Sequence, residues 1–104
     1  MTGTHYIAEL QDVIRKLHGV ESRHIESVAV KEIFHGKTVW EGVVEVFELI
    51  GHPKASRVYA WAHDGKRPSE SSVAVLHGGP ITSAATAVRA ALVQEFRSLE
   101  PEEN

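Results

Sequence analysis

The residues of this chain that could do chemistry are first of all its histidines, of which the 104 residues contain seven. No two are spaced as His-x-His or His-x-x-x-His, so the sequence carries no local metal-binding motif. Folding should bring His24, His52 and His77 towards one end of a sheet, where three imidazoles could ligate a metal ion. Solvated surface histidines are the more common outcome, and we therefore predict no metal and no cofactor.

Basic side chains and histidines also meet in two predicted turns. His35 and Lys37 flank the first turn, and His63, Lys66 and Arg67 belong to the second. Clustered hydrogen-bond donors on loops can hold an anion such as a phosphate or a carboxylate. The sequence therefore predicts an anion site between these turns, with two merely solvated turns as the simpler alternative.

The residue types of a nucleophilic catalyst occur together in the same region. His63 and Asp64 stand close in sequence to Ser69, Ser71 and Ser72. A polar loop does not by itself fix their geometry, and no Gly-x-Ser-x-Gly motif is present. We therefore assign no catalytic residue and favour a binding protein over an enzyme.

Hydrophobic periodicity predicts the elements that position these groups. Residues 4–18 and 84–99 carry apolar side chains three and four positions apart, which indicates two amphipathic helices. The second helix is expected to have Ser83 or Thr82 as its N-cap and to bury Leu92 and Phe96. Between the helices, β-branched and aromatic residues predict strands over residues 24–34, 38–49, 57–63 and 72–77, with a tight turn at His35-Gly36. The acidic tail, residues 100–104, should be disordered.

The order αββββα predicts one α+β domain that spans residues 1–104. Short connections favour an antiparallel meander in the order 1-2-3-4, and we expect both helices to cover one face of it. The absence of cysteine excludes disulfide bonds and thiolate zinc sites. A formal net charge of −3 argues against nucleic acid. Without a leader or a membrane-spanning apolar run, the expected location is the cytoplasm.

The helix and strand order is similar to the α-β-β-β-α order of double-stranded-RNA-binding domains, and the closing helix is alanine-rich as theirs is. The resemblance would imply phosphate contacts from lysines at the start of that helix. Residues 82–87 contain no lysine or arginine, and the first cation of the helix is Arg89. This chain also has an additional strand. An RNA-binding module is therefore the least favoured alternative.

The two faces of the third strand carry our functional prediction. Val58, Ala60 and Ala62 alternate with Tyr59 and Trp61 along it. We assign the small residues to the helix-covered face and the aromatic residues to an open face, because small side chains let a helix approach closely. That open face would dock a second copy or another protein. It comprises Val43, Phe47, Tyr59 and Trp61, rimmed by Glu41, Glu45, Arg57 and His63.

Two alternatives to this interface remain open. The faces can be exchanged, in which case the aromatic row is core and Trp61→Glu unfolds the chain instead of giving a folded monomer. Otherwise, a strongly curved sheet of the cystatin-like kind can enclose a histidine-lined pocket for a small anionic ligand. That pocket would be a concavity of a few hundred cubic ångströms with a histidine beside a carboxylate.

Overall fold

Residues 2–99 are described by the structure, which is a computed structural model. The chain forms α1 (Thr2–His18), β1 (Glu21–Phe34), β2 (Lys37–Ile50), β3 (Arg57–Ala62), β4 (Ser72–Leu76) and α2 (Ala84–Leu99). The strands form one antiparallel sheet in the order β1-β2-β3-β4. The predicted α+β meander is therefore confirmed, whereas the predicted disorder of residues 100–104 lies outside the described residues. Within residues 2–99, neither helix combines the length and the hydropathy needed to cross a bilayer.

A two-residue turn joins β1 to β2 and sets their register. His35 and Gly36 both have positive φ, at 54° and 74°, which is the backbone that suits the right-handed twist of a hairpin. The turn pairs Phe34 with Lys37, and Val28 lies opposite Val44 further along the ladder. Because this pairing fixes which side chains share a face, it decides what the hairpin presents on each side of the sheet.

The hairpin is much longer than its neighbours. Of β2, only Glu45 to Glu48 pairs with β3, whereas β1 accompanies β2 along nearly its whole length. The distal half of the hairpin, residues 29–43, therefore projects beyond the last pair between β2 and β3. Its backbone is paired on the β1–β2 side alone.

The N-terminal helix covers one face of the sheet. Leu10 and Ile14 of α1 are fully buried against Phe47, Val58 and Ala60. Phe47 and Val58 are register partners, so they point to the same side of the sheet. This first core is completed by Leu49 and by the half-buried Leu76.

The C-terminal helix covers the opposite face. Ala87 and Val88 of α2 pack with Tyr59 and Trp61, which alternate with Val58 along β3. The predicted placement of both helices on one face is therefore wrong. Each face carries its own row of apolar side chains. Such side chains stabilise the fold only when they are removed from water, so each face needs a helix to cover it.

Opposite placement of the helices has an energetic consequence. Ile14→Val in α1 and Val88→Ala in α2 should each lower the free energy of unfolding by about 0.5–2 kcal/mol. Because the two side chains belong to separate cores, we expect the double variant to be additive to within about 0.5 kcal/mol in urea unfolding. Ile14→Val combined with Val58→Ala, in one core, is the comparison. Coupling across the sheet as strong as that within one core would contradict the two-face packing.

Helix α2 begins at the predicted N-cap. Thr86 N donates to Ser83 Oγ at 3.2 Å, and Ser83 N donates to Thr86 Oγ1 at 2.9 Å, so one free amide of the first turn and the amide of the N-cap residue are satisfied. The buried stripe of this helix is shorter than predicted. Leu92 is half-buried, but Phe96 is 52% exposed, because α2 extends past the part of the sheet that could cover it.

Candidate functional site

The predicted aromatic interface does not form. Tyr59 and Trp61 are each 3% exposed beneath α2, and the Trp61 ring meets that of Trp40 at 5.6 Å between centroids. Phe47 is fully buried on the other face, beneath α1. The three aromatic side chains are core residues on two faces, so the open row predicted from the sequence was assembled with the wrong register between β2 and β3.

The other members of that predicted interface differ in burial. Val43 and Glu41 lie exposed on the projecting hairpin, and Arg57 is exposed at the start of β3. His63 is half-buried just after β3, and Glu45 is buried in the middle of the sheet. Glu41, Val43, Glu45 and His63 border one concavity, from which Arg57 is absent, and of this set Glu45 is the one that is buried.

The two turns of the predicted anion site have separate contacts. His35 and Lys37 lie at the turn between β1 and β2, and His63 contacts Ser71 and Glu95. Arg67 is already paired with Glu9 of α1, and hydrogen bonding to Arg67 holds the pKa of that carboxyl below its usual range. Among the described residues no hydrogen bond or ion pair joins the two turns, and the anion site stays a prediction.

The three histidines predicted to approach one another have other partners. His24 contacts Glu45, the ring of His52 lies edge-on to that of His18, and His77 Nδ1 lies 2.8 Å from Tyr59 Oη. The described residues contain no group of three or more histidine, aspartate or glutamate side chains that could hold a metal ion.

A serine–histidine–carboxylate chain joins the β3–β4 loop to α2. Ser71 Oγ lies 2.7 Å from His63 Nδ1, and His63 Nε2 lies 3.3 Å from Glu95 Oε2. In a serine nucleophile the histidine removes the proton, and main-chain donors beside the serine commonly stabilise the developing oxyanion. Ser71 N instead donates to Arg67 O at 3.0 Å. We therefore interpret the chain as a tether between the loop and the helix.

The strongest candidate site is built around Glu45, whose side chain is only 10% exposed. His24 Nε2 donates to Glu45 Oε1 at 2.8 Å, and Ser27 Oγ donates to the same oxygen at 2.5 Å. Glu45 Oε2 accepts no hydrogen bond from any described residue. A buried carboxylate is costly unless its oxygens are paired, so this side chain is held in place through one oxygen and has acceptor capacity left on the other.

The strands place these three polar groups with little freedom. Ser27 and Glu45 are register partners on β1 and β2, so their side chains stand on the same face. A bulge between His24 and Glu26 allows His24 to join that face as well, and its ring packs 5.3 Å from that of Phe47. The buried hydrophobic core beneath α1 therefore holds the imidazole that orients Glu45.

Tyr6 of α1 stands over the same point of the sheet. Its hydroxyl accepts a hydrogen bond from Ala62 N at 2.9 Å. Burial raises the pKa of Tyr6, and the nearby Glu45 carboxylate raises it further, so the phenol is neutral at physiological pH. A neutral hydroxyl still has one proton to donate, and Tyr6 lies at the wall of two concavities.

Two concavities open on either side of Tyr6 and Glu45. The first, which we call the notch, has a volume of about 310 Å³ and lies between residues 40–45 of β2 and residues 62–66 after β3. The second, the cleft, has a volume of about 590 Å³ and lies between α1 and the start of β1, with Gln11, His24 and Ser27 on its walls. Tyr6 and Glu45 line both, so a ligand in either one can reach the carboxylate.

The charges around the notch are mainly negative. Glu41, Glu45 and Asp64 contribute carboxylates, against the ammonium of Lys66 and the imidazole of His63. The cleft contains a histidine beside a carboxylate, His24 and Glu45, as the pocket of the alternative prediction requires, but its function as a ligand pocket stays a prediction. The anionic ligand of that prediction does not fit the notch, because carboxylates in a partly enclosed site attract cations and hydrogen-bond donors.

Comparisons of this chain with known protein families, with curated proteins and with solved structures found no match. The class of protein is described by its fold and site alone: it is an α+β domain with a helix on each sheet face and an acidic notch in the sheet.

The sequence analysis placed Glu45 at the rim of the predicted interface and overlooked Tyr6 and Ser27. One signal was visible: Glu45 interrupts an apolar run, between Val44 and Val46, in the middle of a strand. A charged residue in such a position is seldom buried without partners. The partners themselves could not be found from sequence, because they depend on the register and the bulge in β1.

Proposed function

We propose that the chain is a ligand-binding domain whose ligand presents a hydrogen-bond donor, of cationic character, to Glu45 in the notch. The observation that supports this is the free oxygen Oε2 on a carboxylate that is otherwise buried and held by two donors. An incoming guanidinium or ammonium group would satisfy that oxygen with a charge-assisted hydrogen bond. The surrounding carboxylates of Glu41 and Asp64 favour the same charge.

The position of Glu45 also explains why a ligand could bind specifically there. His24 and Ser27 fix the carboxylate from one side, so it need not be ordered when a ligand arrives, and less entropy is lost on binding. Tyr6 offers a second polar group at the same wall, and the exposed Val43 offers an apolar contact. The site thus combines a few convergent polar groups with an apolar border, as ligand pockets commonly do.

The test uses Nα-acetyl-arginine amide as the probe, followed by amide chemical shifts in the ¹H–¹⁵N spectrum. We expect saturable shifts at the amides of Glu45, Gly42 and Ala62. Glu45→Gln should weaken binding by about tenfold or more, because the substitution removes the charge that pairs with the guanidinium.

Glu48→Gln is the matched control for this experiment. It removes the same charge from the same strand, but Glu48 is paired with Arg23 at a distance from the notch. We expect its affinity for the probe to stay within about twofold of wild type. Equal losses in the two variants, or shifts that never saturate, would refute the proposed site.

Two further sequence predictions remain proposals. The aromatic residues assigned to self-association are covered, Tyr59 and Trp61 by α2 and Phe47 by α1. Sedimentation of the wild-type chain would therefore test whether a homodimer forms through other residues. Cytoplasmic location likewise remains a prediction from composition.

A further inference from the structure

The sheet splits at the notch. Glu45 pairs with Ala60, but the ladder between β2 and β3 stops there, although β3 continues to Ala62 alongside β4. Extending the same register by two residues would place Ala62 opposite Val43. No such pair forms, and no other residue of the described range 2–99 pairs with the β3-facing edge of β2 between residue 44 and the hairpin turn.

The direction of the unpaired groups follows from the pairs that do form. Leu49 N donates to Ser56 O, which points the main-chain groups of Leu49 towards β3. Alternate residues of an antiparallel strand face the same neighbour, so Val43 and Glu41 also direct their N–H and C=O groups to that side. Each has an unused donor and an unused acceptor in the open edge of the notch.

Tyr6 keeps the split open. Ala62 N is the group that would otherwise donate to Val43 O, and it donates to Tyr6 Oη instead. Beyond Ala62 the chain bends into the turn of residues 63–66, closed by Lys66 N donating to His63 O at 2.9 Å, with Gly65 at φ 74°. Tyr6 and this turn together hold β3 away from β2 over this stretch.

An exposed strand edge is a template for another strand, and proteins usually block it with charges, bulges or a covering element. Here the edge is instead bordered by a cavity whose carboxylates come from Glu41, Glu45 and Asp64. A residue paired with Val43 would project its side chain to the same face as Val43 and Glu45, because register partners share a face. A basic side chain at that position would reach towards Glu45 Oε2.

We propose that the ligand of the notch is an extended peptide segment that adds to the free edge of β2 and places an arginine or a lysine against Glu45. This inference rests on the proposed function, which supplies the cation-binding carboxylate, and adds main-chain pairing to it. Strand addition takes affinity from main-chain hydrogen bonds and specificity from the pockets that receive alternate side chains. The notch offers both: the edges of Val43 and Glu41 for pairing, and Glu45 for selection.

The test compares three peptides with the blocked arginine described above, by chemical-shift titration. The parent is acetyl-Thr-Val-Arg-Val-Thr-amide. The second carries an N-methyl group on the arginine nitrogen, whose N–H would donate to Val43 O. The third carries it on the valine after arginine, whose N–H would point away from β2, and so serves as the matched control.

We expect the parent and the control peptide to bind about tenfold or more tightly than blocked arginine, because main-chain hydrogen bonds add to the ion pair. Methylation at arginine should abolish that gain, and the amides of Val43 and Glu41 should exchange more slowly with solvent in the parent complex. If both methylated peptides bind as tightly as the parent, main-chain pairing is refuted while cation binding at Glu45 stands. If blocked arginine does not bind either, the proposed function is refuted as well.

A protein variant tests the role of Tyr6 in keeping β3 apart from β2. Tyr6→Phe removes the acceptor for Ala62 N and retains the ring, so Ala62 becomes free to pair with Val43 and the notch should narrow. We expect about tenfold weaker binding of the parent peptide and slower exchange of the Ala62 amide in the free protein. Unchanged affinity would overturn the inference. So would protein dimerisation that shifts the notch amides without peptide, because a second copy would then be the occupant.

Discussion

Trp61→Glu is expected to leave the chain unfolded at room temperature. Trp61 is 3% exposed, lies under α2 and packs against Trp40. The substitution removes that packing and buries a carboxylate with no partner, at a cost of several kcal/mol each. A domain of this size has a total stability of about 5–15 kcal/mol, so the sum is enough to unfold it. Far-ultraviolet circular dichroism and urea titration provide the measurement.

Val43→Glu is the control for this change. Val43 is 48% exposed on the projecting hairpin, where a new carboxylate stays in water, so the variant should remain folded with a midpoint near that of wild type. The sequence alone had suggested a folded monomer for Trp61→Glu. A folded Trp61→Glu variant would show that α2 does not cover the aromatic face and would restore the predicted interface.

Phe47→Ala is expected to lower the free energy of unfolding by about 3–5 kcal/mol. Phe47 is fully buried among Leu10, Ile14 and Val58, and its ring also supports His24. Loss of the ring leaves a cavity under α1 and removes the surface that positions the imidazole beside Glu45. Urea unfolding gives the stability, and titration with blocked arginine shows whether the site is lost in the fraction that still folds.

Phe96→Ala is the matched comparison, because it makes the same chemical change at a ring that is 52% exposed. We expect a loss below about 1 kcal/mol and unchanged binding of the arginine probe. The sequence had placed Phe96 beside Leu92 on the buried stripe of α2. A Phe96→Ala variant as unstable as Phe47→Ala would mean that α2 is covered along its whole length.

The two proposals about the notch depend on different parts of the fold. Cation binding needs only Glu45, oriented by His24 and Ser27. Peptide addition also needs the bare edge of β2, which exists because β3 turns away after Ala62. Substitutions at Glu45 and at Tyr6 therefore separate charge recognition from main-chain pairing.

The sequence by itself determined the helices, the strands and their order. Apolar spacing of three and four marked α1 and α2, and β-branched residues marked the strands to within about three residues at each end. His35-Gly36 specified a tight turn, since glycine accepts positive φ at little cost. Ser83 capped α2 as expected. These are local features, decided by neighbouring residues.

Only the tertiary structure decided which faces are covered and where the site lies. The alternation of Val58 and Tyr59 says that β3 has two faces, but both rows are apolar, and their pattern cannot tell which helix covers which row. The site depends on the register that pairs Ser27 with Glu45 and on the contact of Tyr6 with Ala62. Such contacts join residues up to 56 positions apart, and a shift of one residue in register would send every side chain of a strand to the other face.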